Sequence, residues 1–100
     1  MNSQKRIKIG IIGAGQMGSG IAQICAQSGL TVILSDISKE ILDNSLKVIR
    51  KRLERLVERE KLSKNKIKMI LANITITQNL ESLSDFDFVL EAATEDEKIK

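Results

Sequence analysis

Six glycines, Gly10, Gly13, Gly15, Gly18, Gly20 and Gly29, fall within one twenty-residue window, and none follows it. Within that window Gly13-Ala14-Gly15-Gln16-Met17-Gly18 spells GxGxxG. A carboxylate, Asp36, closes the next apolar run 23 positions after Gly13. This spacing suits the binding of a dinucleotide. Gly13 permits a tight turn, Gly15 lets the backbone approach a pyrophosphate, and Gly18 lets a following helix pack closely on the preceding strand. Free N–H groups and a partial positive charge at the helix start then face the phosphates. Gly20 extends the small-residue face and is expected to deepen the packing.

At the end of a second strand, Asp36 would accept hydrogen bonds from the adenosine ribose hydroxyls and repel a 2′-phosphate. NAD is therefore expected rather than NADP; Lys39 is the nearby cation that argues the other way. The competing possibility is a turn that only packs, with Asp36 capping the next helix. A P-loop is excluded, because no Gly-Lys-Ser/Thr follows the turn.

Other chemistry is limited by what is missing. The chain has no histidine, which excludes a Ser-His-Asp triad, an HExxH zinc helix and any imidazole base. Cys25 is the only cysteine, so no internal disulfide or multi-cysteine metal cage can form; it is expected to be a small buried hydrophobe. Phe86 and Phe88 are the only aromatics, too few for base stacking. No stretch reads as a signal peptide or reaches the roughly 20 apolar residues of a membrane span. A reduced, soluble, cytoplasmic setting is the expectation.

The elements that must position the turn follow from periodicity. Lys5 to Ile12 is β-branched and apolar toward its end, like a buried parallel strand. From Gln16 to Ser28, Met17, Ile21, Ala22, Ile24, Cys25 and Ala26 keep helical spacing, and Gly29 is a C′ stop. Thr31 to Ser35 is a second strand, completing one βαβ unit. Ser38 can cap a long helix whose stripe runs through Ile41, Leu42, Ser45, Val48, Ile49, Leu53, Leu56 and Val57. Ser63 can cap a shorter one holding Ile67, Met69, Ile70 and Leu71. Ile74 to Thr77 is a third strand, Asn79 to Asp85 a turn, and Phe88 to Leu90 a fourth, buried strand. Glu95 opens a further helix. The ordering predicts an α/β fold with a doubly wound parallel sheet.

With the turn and Asp36 in place, Ile11 to Ala22 resembles the N-terminal fingerprint of the 3-hydroxyacyl-CoA dehydrogenase family. The likeness continues through Val32 to Ser38, the Lys61-Leu62-Ser63 junction, Ile74 to Thr77 and Asp87 to Glu95. It implies a Rossmann-type sheet of strand order 3-2-1-4 with a long helix pair inserted between strands 2 and 3. The pyrophosphate turn then falls on Gly13, Ala14, Gly15, Gln16, Met17 and Gly18, and the ribose carboxylate on Asp36. Two further NAD contacts fall on Glu95 and Lys100. Glu95 also stands just past the carboxyl end of the fourth strand, where open α/β sheets bind ligands.

Between Lys47 and Lys68 there are ten Lys/Arg against three Asp/Glu, a local charge of +7; Glu81 to Glu97 holds seven acids and no base. The basic segment reads either as a solvated helix face or as a cradle for the phosphates of coenzyme A. The resemblance puts the CoA contacts at Arg52 and Arg59. Arg52 departs from the family, where a small polar residue is common; Arg59 stands where a lysine is common. Nucleic-acid binding is not expected, since no aromatic or recognised motif accompanies the charge.

The resemblance also implies that a histidine base and its glutamate partner, with an assisting serine and asparagine, lie beyond the matched stretch. Residues 1–100 thus read as the truncated N-terminal part of a dinucleotide-binding domain. The helical C-terminal domain, through which the family dimerises, is then absent, and the chain alone is expected to be inactive. The alternatives are a stand-alone dinucleotide-binding sensor and another nicotinamide β-hydroxyacid dehydrogenase. The second lacks a long basic helix after Asp36.

Overall fold

The computed structural model describes residues 7–79 and 86–92. Its elements are β1 (Lys8–Ile12), α1 (Gln16–Gln27), β2 (Thr31–Ser35), α2 (Lys39–Glu58), α3 (Lys66–Ala72), β3 (Ile74–Thr77) and β4 (Phe88–Glu91). The four strands form one parallel sheet of order β3-β2-β1-β4: the strand–helix alternation predicts the parallel sheet, and the order is the one the family resemblance implies. The helix expected from Glu95, and residues 80–85 of the expected turn, lie outside the described residues.

Register explains the core. Ile9 stands beside Val32 and Val32 beside Ile74, so these side chains share one face. Ile11 and Leu34 form the next row on that face. Ile11, Val32 and Leu34 are fully buried against Ala22 and Ala26 of α1 and Leu42, Ile49 and Leu53 of α2. Right-handed crossovers that progress from β1 to β2 to β3 put these helices on a single face.

Both long helices end in a Schellman motif, reached by different residues. In α1, Gly29 has φ of +89° and its N–H donates to Ala26 O, while Leu30 N–H donates to Cys25 O. In α2 the same left-handed position is held by Glu60, at φ of +59°, with Glu60 N–H on Val57 O and Lys61 N–H on Leu56 O. No glycine follows Gly29, so the second stop carries a Cβ where glycine is favoured. At the front of α2, Ser38 Oγ accepts from Ile41 N–H at 3.2 Å, as its position before the stripe predicts.

Several expectations are corrected. Ser63 does not cap α3 with its hydroxyl; its backbone carbonyl accepts from Lys66 N–H, a tight turn leads in, and α3 starts without a side-chain cap. β4 is exposed rather than buried. Phe88 and Leu90 stand beside Ile9 and Ile11, but α1 packs mainly on β2, α2 packs on α1 and β3, and neither helix packs closely on this edge. Met17 and Ile24 turn outward from α1. Gly20 is not tightly packed: a Cβ there would have only the Arg52 guanidinium nearby, at 3.9 Å.

Candidate functional site

The glycine turn leaves the carboxyl end of β1 and enters α1. Gly13 has φ of +102°, which a side chain would resist, and its N–H donates to Ser35 O at 2.8 Å. A Cβ on Gly18 would fall 1.8 Å from Gly13 O, so helix and turn touch backbone to backbone there. A Cβ on Gly15 would meet nothing within 4 Å. One glycine therefore serves packing and the other leaves space. That space, at the positive end of a 12-residue helix with no acid in its first turn, is what a pyrophosphate needs.

Asp36 reaches the same turn from the end of β2. Its Oδ2 accepts from Ala14 N–H at 2.9 Å and its Oδ1 from Ser38 N–H at 3.0 Å. The carboxylate thus braces the turn and the entry to α2 without capping that helix, whose N-cap is Ser38, and it also lines the crevice. Each oxygen has a second lone pair, leaving acceptor sites for ribose hydroxyls. Lys39 Nζ lies 3.4 Å from Asp43 Oδ2, one turn along α2.

The crevice, about 640 Å³, is lined by Gly13, Gly15, Gln16, Met17, Asp36, Ile41 and Ala92. A cofactor whose pyrophosphate needs backbone N–H groups and whose ribose needs a carboxylate fits this donor and acceptor set. Ile41 and Ala92 were not foreseen as lining residues. Ile41 had a place in the α2 stripe, yet it is 41% exposed because it faces the crevice rather than the core.

A larger groove of about 980 Å³ lies between the first turns of α1 and the first half of α2, and Gly15, Gln16 and Ile41 border it as well. Arg52 closes one end, its Nη1 3.5 Å from Ser19 Oγ. Arg59 is exposed at the last residue of the α2 cap, about 10 Å further along the axis, and does not line this groove. Glu95 and Lys100 lie outside the described residues.

Ser45 was also missed. It is buried in the apolar stripe of α2, and its hydroxyl donates to Ala14 O in the turn. A lone hydroxyl amid Leu42, Ile49 and Leu53 was the available signal. Cys25 is half-buried against the core, and burial pushes its thiol up, favouring the protonated form. That contribution to stability is complete below the unfolded thiol's pKa and is lost as pH rises through the folded value. Among the described residues no cluster of His, Cys, Asp or Glu could hold a metal, and no helix is long and apolar enough to cross a membrane.

A parallel sheet with a glycine turn at the end of β1 and a carboxylate at the end of β2 defines a dinucleotide-binding Rossmann-type domain. The chain belongs to the family described as 3-hydroxyacyl-CoA dehydrogenase, NAD binding domain, whose model matches residues 8–100. NAD is accordingly the cofactor of this domain. The chain is 45% identical over 94 residues to a probable 3-hydroxybutyryl-CoA dehydrogenase of Deinococcus radiodurans, covering 94% of this chain and 34% of that protein. It is 38% identical to the 3-hydroxybutyryl-CoA dehydrogenase of Bradyrhizobium diazoefficiens, covering 93% of this chain and 32% of that one. The solved (S)-3-hydroxybutyryl-CoA dehydrogenase of Ralstonia eutropha superposes with a TM-score of 0.87 at 39% identity, covering 93% of this chain and 33% of its own. The chain spans about a third of the length of the curated relatives it matches.

Proposed function

We propose that this chain is the cofactor-holding part of an NAD-dependent 3-hydroxyacyl-CoA dehydrogenase whose substrate is 3-hydroxybutyryl-CoA. The observation that carries this reading is the open position at Gly15 beside Asp36, in a domain of the NAD-binding family. The backbone of Gly13 to Gly18 holds the pyrophosphate, and Asp36 accepts from the adenosine ribose hydroxyls. Bound NAD supplies the site with a hydride acceptor for the C3–H of the substrate alcohol. The chain has no histidine to take the hydroxyl proton, so on its own it binds without turnover.

Glu95 and Lys100 complete the NAD contacts on this reading. Arg52 and Arg59 hold phosphates of the acyl-CoA. The groove beside Arg52 and the +7 charge from Lys47 to Lys68 support that assignment. The complete protein is a cytoplasmic homodimer joined through residues outside this chain, with no nucleic-acid or membrane partner.

Calorimetric titration of the chain with NAD and NADP tests the cofactor assignment. NAD is expected to bind at least about tenfold more tightly than NADP, a difference of about 1.4 kcal/mol. Asp36→Ala is expected to narrow that gap. Equal affinity of the unmodified chain for both removes the role given to Asp36, and no binding of either removes the site.

A further inference from the structure

Ser45 stands where the sequence pattern calls for an apolar residue. It is 3% exposed, between Leu42 and Ile49 on the buried stripe of α2. A serine in mid-helix ordinarily returns its hydroxyl to the carbonyl four residues earlier. This one instead crosses to another element and donates to Ala14 O, 31 residues away. The Ala14 peptide groups are therefore held from two sides, since Ala14 N–H donates to Asp36 Oδ2.

Peptide planarity turns these two bonds into an aiming device. In a trans peptide the C=O and N–H point in opposite directions. Holding Ala14 N–H on Asp36 sends Gly13 C=O the other way, and Gly13 O indeed faces α1 at Gly18. By the same geometry, holding Ala14 C=O on Ser45 sends Gly15 N–H away from Ser45, and Gly15 lines the crevice. Gly15 N–H has no acceptor among the described residues. Glycines flank Ala14 on both sides, so the backbone alone resists rotation of these peptides weakly.

We infer that Ser45 is a positioning residue for the dinucleotide site: its bond to Ala14 O aims the Gly15 N–H at the pyrophosphate. The inference rests on the proposed placement of NAD at this turn. Asp36 serves the first peptide plane of the turn and Ser45 the second. Because Ser45 belongs to α2, this helix orders the cofactor turn from behind as well as bordering the neighbouring groove.

Titration of the chain with NAD, ADP-ribose and adenosine, followed by amide chemical shifts, separates aiming from folding. Adenosine lacks the pyrophosphate and uses Asp36 without Gly15 N–H. Ser45→Ala is expected to weaken ADP-ribose and NAD about tenfold while changing adenosine less than about twofold. Ser45→Cys fills nearly the same volume with a weak donor and is expected to behave like the alanine variant, which covers the case of a cavity that unfolds Ser45→Ala. Unchanged ADP-ribose binding in a folded variant overturns the inference. So does an equal loss for adenosine and ADP-ribose, which is the signature of a merely structural role. An unmodified chain that binds ADP-ribose no better than adenosine removes the underlying pyrophosphate placement instead.

Discussion

Gly15 and Gly18 stand three residues apart in the same turn, and a methyl group added to each meets opposite surroundings. At Gly18 it would lie 1.8 Å from the Gly13 carbonyl, a backbone atom that cannot swing aside. Gly18→Ala is expected to cost about 3 kcal/mol through overpacking, read as a fall in the urea midpoint. At Gly15 the same methyl meets nothing within 4 Å and the backbone φ is an ordinary −72°. Gly15→Ala is expected to leave stability within about 0.5 kcal/mol, the usual range of a surface change, while weakening NAD about tenfold or more. A Gly15→Ala chain that binds NAD normally would show that the pyrophosphate does not approach the backbone there. The GxGxxG spacing names both residues as special, but their different duties depend on the distance between α1 and the turn.

At the scale of elements, propensity and punctuation made most boundaries legible. The Ser38 cap, the Gly29 stop and the βαβ unit all follow from residues within a few positions of one another. The end of α2 was hidden because Glu60 does the work of a glycine. Left-handed backbone costs a residue with a Cβ roughly 1–2 kcal/mol, partly offset by the lower entropy of its unfolded state. Glu60→Gly is therefore expected to stabilise the chain by about 0.5–1 kcal/mol, measured by urea unfolding. A loss of stability instead would mean that the Glu60 side chain contributes more than its backbone costs. The start of α3 was hidden for a related reason: the turn there uses the Ser63 carbonyl, and carbonyls carry no sequence signature.

Across the whole molecule, the four-strand sheet is dressed unevenly. Helices bury the middle strands, whereas Phe88, Val89 and Leu90 of β4 remain 59%, 48% and 41% exposed. Among the described residues β4 pairs with β1 alone, so its outer side offers unpaired backbone groups next to apolar side chains. The 100-residue chain is expected to self-associate at micromolar concentration in sedimentation velocity and to melt below about 60 °C. A monomer that melts cooperatively above that temperature would mean that this edge is protected. Sequence periodicity marks Phe88 to Leu90 as a strand and as apolar. It cannot tell how far the helices reach across the sheet.

The local part of the design was thus readable from residue types alone. A strand, three spaced glycines, a helix and an acid 23 positions on mark a dinucleotide-binding domain, because steric freedom, helix start and strand end all act over short chain distances. The crossover rule extends this to a parallel sheet, and the family resemblance supplies its order, β3-β2-β1-β4. Tertiary structure alone decided what closes on the turn. Ser45 meets Ala14 across 31 residues, Arg52 meets Ser19 across 33, and Phe88 stays outside the helical cover. Such meetings depend on the angle and reach of whole helices over the sheet, which a period of 3.6 or 2 residues does not encode.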